Sequence, residues 1–328
     1  MSERVTGEAH GAEAGTRVSL SRAQAQELER TALFQALPRR QRQRVAALAE
    51  VRHFADGEAI VSAGGPGDSL YFLLDGGALV ATPDGRERAL ALGDHFGELS
   101  LIDGAPRAAT VFSSGPATLA RISRADFYGV LDDDPSIALG LLPGLTLVVR
   151  DVIRSDAACI PDHSCVRDWR TEGDAAVPSE APGEKLDGRD ALGWLLLLRH
   201  VDLFQALPEH HLRRVASLFS VKRFADGATV TVAGARGDSM HVILNGRARV
   251  RTPSGHTRSL GEDDCFGELA LLDGAPRAAT VSAVGELTTA VVGRTAFQKL
   301  MRSEPGVAVG LLHGLTRTVR ELQGEKAV

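Results

Sequence analysis

Two Glu–Arg pairs are the residues of this chain best suited to chemistry. Glu98 precedes Arg107 by nine residues, and Glu268 precedes Arg277 by the same nine. A guanidinium stays charged at any working pH and offers a planar fork to two oxygens of an anion. A carboxylate beside it is a strong acceptor for a hydroxyl group. Each pair is therefore suited to a pocket that holds a phosphate together with a sugar hydroxyl.

Both pairs lie within an internal repeat with a period of 170 residues. Residues 96–111 read FGELSLIDGAPRAATV, and residues 266–281 read FGELALLDGAPRAATV. The strings LFQALP, FADG and GDS recur at the same offset, so the two copies align without a gap. This period is far too long for a solenoid unit. It predicts two complete domains, at 31–154 and 191–323, joined by a linker at 155–190.

Composition indicates an ordinary soluble protein. The chain has 328 residues, of which 44% are hydrophobic and 24% charged, and its net charge of −5 disfavours nucleic acid and anionic membranes as partners. The polar N-terminus has no apolar signal core, and the longest apolar run, at 194–198, is far shorter than the roughly 20 residues of a membrane span. Three cysteines do not make a disulfide framework, so we expect a cytoplasmic protein. Residues 1–30 are expected to be a disordered or partly helical tail, and 324–328 a second tail.

Each copy predicts a short-stranded barrel that follows a short helix. The helices are expected near 38–50 and 208–220. Strands of alternating polarity follow, and in the first copy Gly-rich turns are expected at 56–57, 75–77 and 83–85. Regular short strands with such turns favour a barrel or sandwich.

Helical segments close each copy, at 124–154 and 294–322. Pro135 and Pro305 predict a break in each segment, and Pro143-Gly144 predicts a second break in the first copy. A long dimerising coiled coil is therefore not expected.

The segment that follows each glutamate is predicted to form one helical turn, which in the first copy ends at Asp103-Gly104. The free N–H groups at the start of such a turn can face an anion. Gly97 and Gly267 would let the backbone approach that anion closely.

The pattern F-G-E-L-x-L-x-D-G-x-P-R-A-A-T-V resembles the phosphate-binding cassette of the cyclic nucleotide-binding domain family. That family includes the regulatory subunit of cAMP-dependent protein kinase, cGMP-dependent kinase, gated channels and the bacterial catabolite activator protein. The tandem arrangement is most similar to the kinase regulatory subunit. The resemblance implies an α+β, mainly β fold with two jelly-roll-like barrels flanked by helices.

The resemblance also implies a role for each cassette residue. The arginine would bind the cyclic phosphate, the glutamate would accept the ribose 2′-hydroxyl, and backbone N–H groups around the turn and after the arginine would donate to phosphate oxygens. The first site would consist of Gly97, Glu98, Leu99, Ser100, Arg107 and Ala108, and the second of Gly267, Glu268, Leu269, Ala270, Arg277 and Ala278.

Base selection is a further expectation from the resemblance. In cGMP-selective relatives a threonine follows the arginine, whereas this chain has Ala108 and Ala278, so cAMP is expected rather than cGMP. Trp194 is a candidate base cap for the first site, and the alternative is a tryptophan that packs an amphipathic helix. An aliphatic cap, Leu315 or Val319, is the candidate for the second site.

Other motifs are weaker. Cys159, His163 and Cys165 supply three ligand types at irregular spacing with no clear fourth, so no metal site is expected. The basic run at 39–44 is expected to be a solvated helix face, with partner docking as the alternative. The sequence shows no hydrolase or kinase signature, so we expect a protein that is not an enzyme and that has no cofactor besides its ligand.

The sequence thus favours a two-site cyclic nucleotide receptor that moves its closing helices and regulates an unidentified protein effector in trans. Its oligomeric state stays open. Three alternatives remain: a transcription regulator of the catabolite-activator type with an atypical DNA-binding surface, a ligand-free scaffold, and a cAMP buffer. No helix-turn-helix pattern follows the second closing helix, and no Arg-Arg-x-Ser/Ala inhibitor segment precedes the first domain.

Overall fold

The computed structural model describes residues 19–154, 184–186 and 191–322. They form two halves, each an antiparallel sheet with flanking helices, which confirms the mainly β, α+β fold. Of the residues described, no helix combines the length and the apolar character needed to cross a membrane.

The first half is built on two long strands that pair along their lengths. Its strands are β1 (Glu50–Phe54), β2 (Ala59–Val61), β3 (Ser69–Ala81), β4 (Glu87–Leu90), β5 (His95–Phe96) and β6 (Thr110–Ser123). Its helices are α1 (Arg22–Glu29), α2 (Arg39–Ala46), α3 (Glu98–Asp103), α4 (Arg124–Asp133) and α5 (Ser136–Arg154). Strands β1 and β2 pair with β6, whereas β4 and β5 pair with β3. The short helix α3 therefore lies between the fifth strand and the sixth.

The second half repeats this order and adds a strand from the linker. Its strands are β7 (Glu184–Leu186), β8 (Ser220–Phe224), β9 (Thr229–Thr231), β10 (Ser239–Arg251), β11 (Thr257–Leu260), β12 (Cys265–Phe266) and β13 (Thr280–Gly293). Its helices are α6 (Ala191–His200), a 3₁₀ helix (Asp202–Phe204), α7 (Glu209–Ala216), α8 (Glu268–Asp273), α9 (Arg294–Ser303) and α10 (Gly306–Leu322). Strand β7 pairs with β8, so this part of the expected linker packs on the second sheet.

The prediction of a turn at 75–77 was wrong. These residues lie inside β3, where the register against β6 shifts between Leu73 and Asp75 and again between Asp75 and Gly77. Gly76 has φ +81°, and a Cβ there would lie 2.3 Å from the Pro116 carbonyl oxygen. Gly76 thus lies in an irregularity that lets two long strands stay paired, because a left-handed bulge position favours glycine as a tight turn does. The turn at 83–85 is confirmed.

The closing helical segments break at two of the three predicted positions and continue through the third. Helix α4 ends before Pro135 and α9 before Pro305, but α5 continues through Pro143. Close packing accounts for the difference: a Cβ on Gly144 would lie 2.7 Å from the Leu33 Cα, so α5 is held against the preceding segment. The helix continues through Pro143 although an internal proline typically costs a helix about 3 kcal/mol.

One hydrophobic cluster spans both halves, and each half has a smaller cluster of its own. Helices α5 and α10 pack against each other, and buried side chains from both halves form a continuous cluster. Leu28 of α1 is fully buried in that cluster, so the helical part of the expected N-terminal tail packs on the first half. The pairing of α5 with α10 brings each half's closing helix next to the other half's cassette.

Candidate functional site

All six residues predicted for the second site line one cavity of about 520 Å³. The cavity lies between the cassette and the inner face of the second sheet, to which Thr231, Val250 and Leu260 contribute. Its volume is within the roughly 300–1,000 Å³ typical of small-molecule sites. The structure therefore brings the predicted residues together around a space that can hold a small ligand.

Arg277 is held in this cavity by a fixed set of bonds. Its Nη1 donates to the Ser239 carbonyl oxygen at 2.5 Å and to the Gly267 carbonyl oxygen at 3.2 Å, and its Nη2 donates to Ser239 Oγ at 3.0 Å. The residue is only 4% exposed. A buried, pre-oriented guanidinium offers a planar fork of donors that suits the oxygens of a bound anion.

Gly267 makes this arrangement possible. Its φ of +84° is in the left-handed region, and a Cβ there would lie 2.5 Å from Arg277 Nη1. A side chain at this position would therefore displace the guanidinium. The same residue is the N-cap of α8, whose first N–H groups have no partner within the helix.

Glu268 lies on the cavity wall next to Arg277. Burial raises the pKa of its carboxyl group above the ordinary value, and the nearby Arg150, Arg277 and Arg258 oppose that effect. An ionised Glu268 can accept a hydroxyl from the ligand, whereas its protonated form is a weaker acceptor.

The first half has an equivalent buried arginine, Arg107, whose side chain is 4% exposed and which shares with Arg277 the bond to the cassette glycine carbonyl. Its Nε donates to the Pro66 carbonyl oxygen at 3.1 Å and its Nη1 to the Gly97 carbonyl oxygen at 3.4 Å. Its buried Nη2 has no hydrogen-bond partner among the described residues, with the Asp68 carboxylate 3.6 Å away. Desolvation lowers the pKa of Arg107 from its usual value. An unsatisfied buried donor of this kind is what an anion would satisfy.

The remaining predicted residues of the first site lie in α3, at its N-cap or next to Arg107 in the chain. Glu98 begins α3, which also contains Leu99 and Ser100, and Ala108 follows the arginine. Gly97 has φ +89° and a Cβ there would lie 2.4 Å from Arg107 Nη1. The cassettes of the two halves therefore share the same constraint at the same glycine.

Sequence reasoning did not assign a role to the GDS motif, which supports both cassettes. Ser239 accepts from Arg277 through its carbonyl and its hydroxyl, as described above. A Cβ on Gly67 would lie 2.2 Å from the Ala105 carbonyl oxygen, and one on Gly237 would lie 2.2 Å from the Ala270 Cβ. The recurrence of GDS at the 170-residue offset was the available signal.

The two sites differ in one buried aromatic position. In the first half Tyr71 stacks on Phe96 at 5.2 Å, and in the second half His241 stacks on Phe266 at 4.9 Å. His241 also contacts Ser239 Oγ through Nε2 at 3.3 Å. Desolvation, with Arg277 nearby, lowers the pKa of His241 to about 3. This imidazole is therefore neutral beside the second site at physiological pH.

The expected base caps are not found where the sequence placed them. Trp194 is 5% exposed and stacks on Phe219 at 5.7 Å, so it packs α6 into the core of the second half. Leu315 and Val319 are fully buried in the core. From α10, Thr318 lines the cavity of the second half. Leu315 and Val319 belong to the core cluster in which α10 packs on α5, so they are occupied by core packing.

Two weaker motifs remain, a Cys–His group in the linker and a basic run on α2. Within the described parts of the chain, no cluster of three or more His, Cys, Asp or Glu side chains could hold a metal ion. Cys159, His163 and Cys165 lie outside the described residues. The basic run lies on α2, where Arg44 pairs with Asp134 at 3.3 Å. That contact fits a solvated helix face.

Comparison with known proteins gives consistent matches. The chain is 26% identical over 248 residues to a cAMP-dependent protein kinase regulatory subunit of Yarrowia lipolytica, which covers 75% of this chain and 52% of that protein. It is 27% identical over 267 residues to the same kind of subunit from Blastocladiella emersonii, covering 78% and 53%. The chain thus spans about half the length of the curated relatives it matches.

Among solved structures, the regulatory domain of Toxoplasma gondii PKA in complex with cAMP aligns with 22% identity and a TM-score of 0.33. That alignment covers 94% of this chain and 99% of that one. The model of the cyclic nucleotide-binding domain matches twice, at residues 51–134 and 221–304, which together are half of the chain. Each match lies within one half and includes its cassette glycine, glutamate and arginine, so this chain belongs to the cyclic nucleotide-binding domain family, with one domain in each half.

Proposed function

We propose that this chain is a receptor with two cyclic nucleotide sites, that its ligand is cAMP, and that it regulates a protein kinase in trans from the cytoplasm. The observation that carries the proposal is the buried arginine repeated in both halves behind a left-handed glycine. In the second half all six expected contact residues line one cavity. The proposal describes a regulator and assigns the chain no catalytic role.

The chemistry of binding follows from the site. A cyclic phosphate is a compact anion, and its burial is favourable only where fixed donors match its charge. Arg107 or Arg277 supplies the guanidinium, and the N-terminus of the short cassette helix supplies N–H groups. Glu98 or Glu268 accepts the 2′-hydroxyl. Alanine after each arginine leaves no hydroxyl for a guanine amino group, which favours cAMP.

The kinase partner is proposed from the relatives. Those reported above are regulatory subunits of cAMP-dependent protein kinases, and this favours a kinase effector over a DNA-binding output. Ligand would act by favouring one arrangement of the closing helices, to the extent that its affinity differs between two arrangements.

Isothermal titration of the full chain with cAMP and with cGMP tests the binding. We expect two molecules of cAMP per chain, and one after Arg107→Ala or Arg277→Ala. Loss of a buried charge partner typically costs about 2–5 kcal/mol, or tens- to thousands-fold in affinity. Arg86→Ala is the matched control, since its side chain is 57% exposed and pairs with Asp84 in a turn. Absence of heat and of thermal stabilisation with either nucleotide would refute the proposal.

The effector is tested separately. The chain is added to the catalytic subunit of a cAMP-dependent protein kinase, and phosphorylation of a peptide substrate is followed with and without cAMP. Inhibition that cAMP relieves supports a kinase effector, whereas activity unaffected by the chain at micromolar concentration contradicts it.

A further inference from the structure

The closing helix of the first half contacts the cassette of the second. Arg150 of α5 donates from Nε to Asp273 Oδ2 at 2.6 Å and from Nη2 to Oδ1 at 3.0 Å. Its Nη1 also donates to the Pro276 carbonyl oxygen at 2.9 Å, directly before Arg277. Both side chains of the ion pair are 5% exposed. The contact is thus a buried fork-to-carboxylate pair at the end of α8.

The same contact occurs in the opposite direction. Arg320 of α10 donates from Nε to Asp103 Oδ2 at 2.6 Å and from Nη2 to Oδ1 at 3.2 Å. Its Nη2 also lies 3.3 Å from Ser100 Oγ. The arginines and the aspartates are each 170 positions apart, so both pairs join equivalent residues of opposite halves. We refer to Arg150–Asp273 and Arg320–Asp103 as the crossed pairs.

Each aspartate of the crossed pairs also shapes the loop that leads to the anion-binding arginine. Asp103 Oδ1 accepts the Ala105 N–H at 2.9 Å, and Asp273 Oδ1 accepts the Ala275 N–H at 2.8 Å. Two residues beyond these alanines are Arg107 and Arg277. The arginine from the other half therefore orients a carboxylate that in turn orients the binding loop.

The two crossed pairs are buried to different degrees, because the side chains of Arg320 and Asp103 are 10% and 18% exposed, more than those of Arg150 and Asp273. Removing one partner of a buried ion pair leaves an uncompensated charge, which the surroundings relieve only by moving. The loop between Asp103 and Arg107 would be the part to move, because its backbone N–H is bonded to the same carboxylate. A small displacement there changes the position of the guanidinium that must meet the ligand.

We propose that Arg150 and Arg320 are positioning residues for the site in the opposite half, so that the crossed pairs couple the two sites. The ligand in this inference rests on the proposed function, but the crossed contact does not. Ligand that fixes one cassette also fixes the closing helix of the other half, and by linkage the effect is reciprocal. Couplings of this kind amount to about 5- to 150-fold in affinity.

Variants that retain only one ligand site test the two crossed pairs separately. In an Arg277→Ala background only the first site remains, and Arg320→Gln is expected to weaken cAMP binding there about 10-fold or more, while Arg150→Gln changes it far less. In an Arg107→Ala background only the second site remains, and there Arg150→Gln is expected to weaken cAMP binding far more than Arg320→Gln does. Arg302→Gln, at an exposed arginine of α9, is the control for the loss of a positive charge. It should leave the cAMP affinity of both sites unchanged.

The pattern of losses decides the outcome. If each substitution weakens the site of its own half, or both sites equally, the inference is wrong. Combining Asp103→Asn with Arg320→Gln should weaken the first site no more than the stronger single change, because both remove the same contact. If the two losses of cAMP affinity multiply in the double variant, the inference is wrong.

A ligand-free measurement separates this inference from the proposed function. Amide hydrogen exchange in the otherwise unaltered chain should accelerate at 97–107 in Arg320→Gln and at 267–277 in Arg150→Gln. Should the unaltered chain bind neither nucleotide, the proposed function fails, yet this crossed pattern would still support the positioning role. Equal acceleration of both segments in either variant would contradict it.

Discussion

Replacing Gly97 with alanine should displace the anion-binding arginine of the first site. Gly97 has φ +89°, and the added Cβ would lie 2.4 Å from Arg107 Nη1 and 2.8 Å from the Ser69 carbonyl oxygen. An ordinary contact begins at 3.4 Å, so the guanidinium must retreat by about 1 Å. Gly93 is the matched control, because it has the same φ of +89° and nothing within 4 Å of an added Cβ.

Both variants should lose unfolding free energy, but only Gly97→Ala should also lose ligand affinity. Alanine in the left-handed region costs about 1–2 kcal/mol, partly offset by a less flexible unfolded chain, so both should lose about 1 kcal/mol of unfolding free energy. Gly97→Ala also disturbs a charged donor, and hydrogen bonds to charged groups contribute about 1.5–3 kcal/mol. That difference corresponds to about 10- to 150-fold weaker binding.

The assay is titration with cAMP in an Arg277→Ala background, where only the first site binds, together with urea denaturation of each variant. Gly93→Ala should bind as its parent does. The reasoning is refuted if Gly97→Ala binds as tightly as Gly93→Ala, since the clash with Arg107 would then have no effect on the ligand.

Three further predictions follow from single positions. The folded-state pKa of His241 is about 3 and its unfolded value about 6.5, so the unfolded chain takes up the proton first and unfolding free energy falls as pH drops below about 6.5. His241→Tyr, which copies Tyr71, should remove about 2 kcal/mol of the stability loss between pH 7 and pH 5 in urea denaturation, and an unchanged pH dependence would contradict this. A Cβ on Gly144 would meet the Leu33 backbone at 2.7 Å, so Gly144→Ala should destabilise by about 1–3 kcal/mol in thermal denaturation, whereas Gly129→Ala, with open space in α4, should stabilise by about 0.5–1 kcal/mol. Glu98→Gln should reduce discrimination between cAMP and its 2′-deoxy analogue at the first site about 10-fold in titrations, because a charged acceptor becomes neutral. If the ratio of the two affinities does not change, Glu98 does not bind the ribose 2′-hydroxyl.

Much of each site could be predicted because its determinants are local in the sequence. The one-turn helix after each glutamate, its glycine ends and the arginine nine residues on all depend on backbone conformation over a few residues. The repeat then showed that the same unit occurs twice. The ligand contacts of the arginines and glutamates, and those of Leu99, Ser100, Ala108 and their counterparts in the second half, stay predictions until ligand binding is measured.

Other features could not be settled from the sequence because one local signal serves more than one structure. Gly76 has the positive φ of a turn but lies in a bulge of β3, and Pro143 remains inside α5 because Gly144 packs that helix closely. Trp194 could have capped a base or packed a helix, and only the position of Phe219 decided between them. In each case a partner distant in sequence selected the outcome.

The sequence by itself determined two binding units, their arginines and glutamates, and the breaks at Pro135 and Pro305, because spacing and backbone restriction are properties of the chain. Only the tertiary structure decided which half each of Arg150 and Arg320 contacts. Asp103 lies 217 residues from Arg320, and nothing in the repeat distinguishes that pairing from one with Arg150 of its own half. The packing of α5 on α10 settles it, because an ion pair forms only where the orientation of whole helices brings its buried charges together.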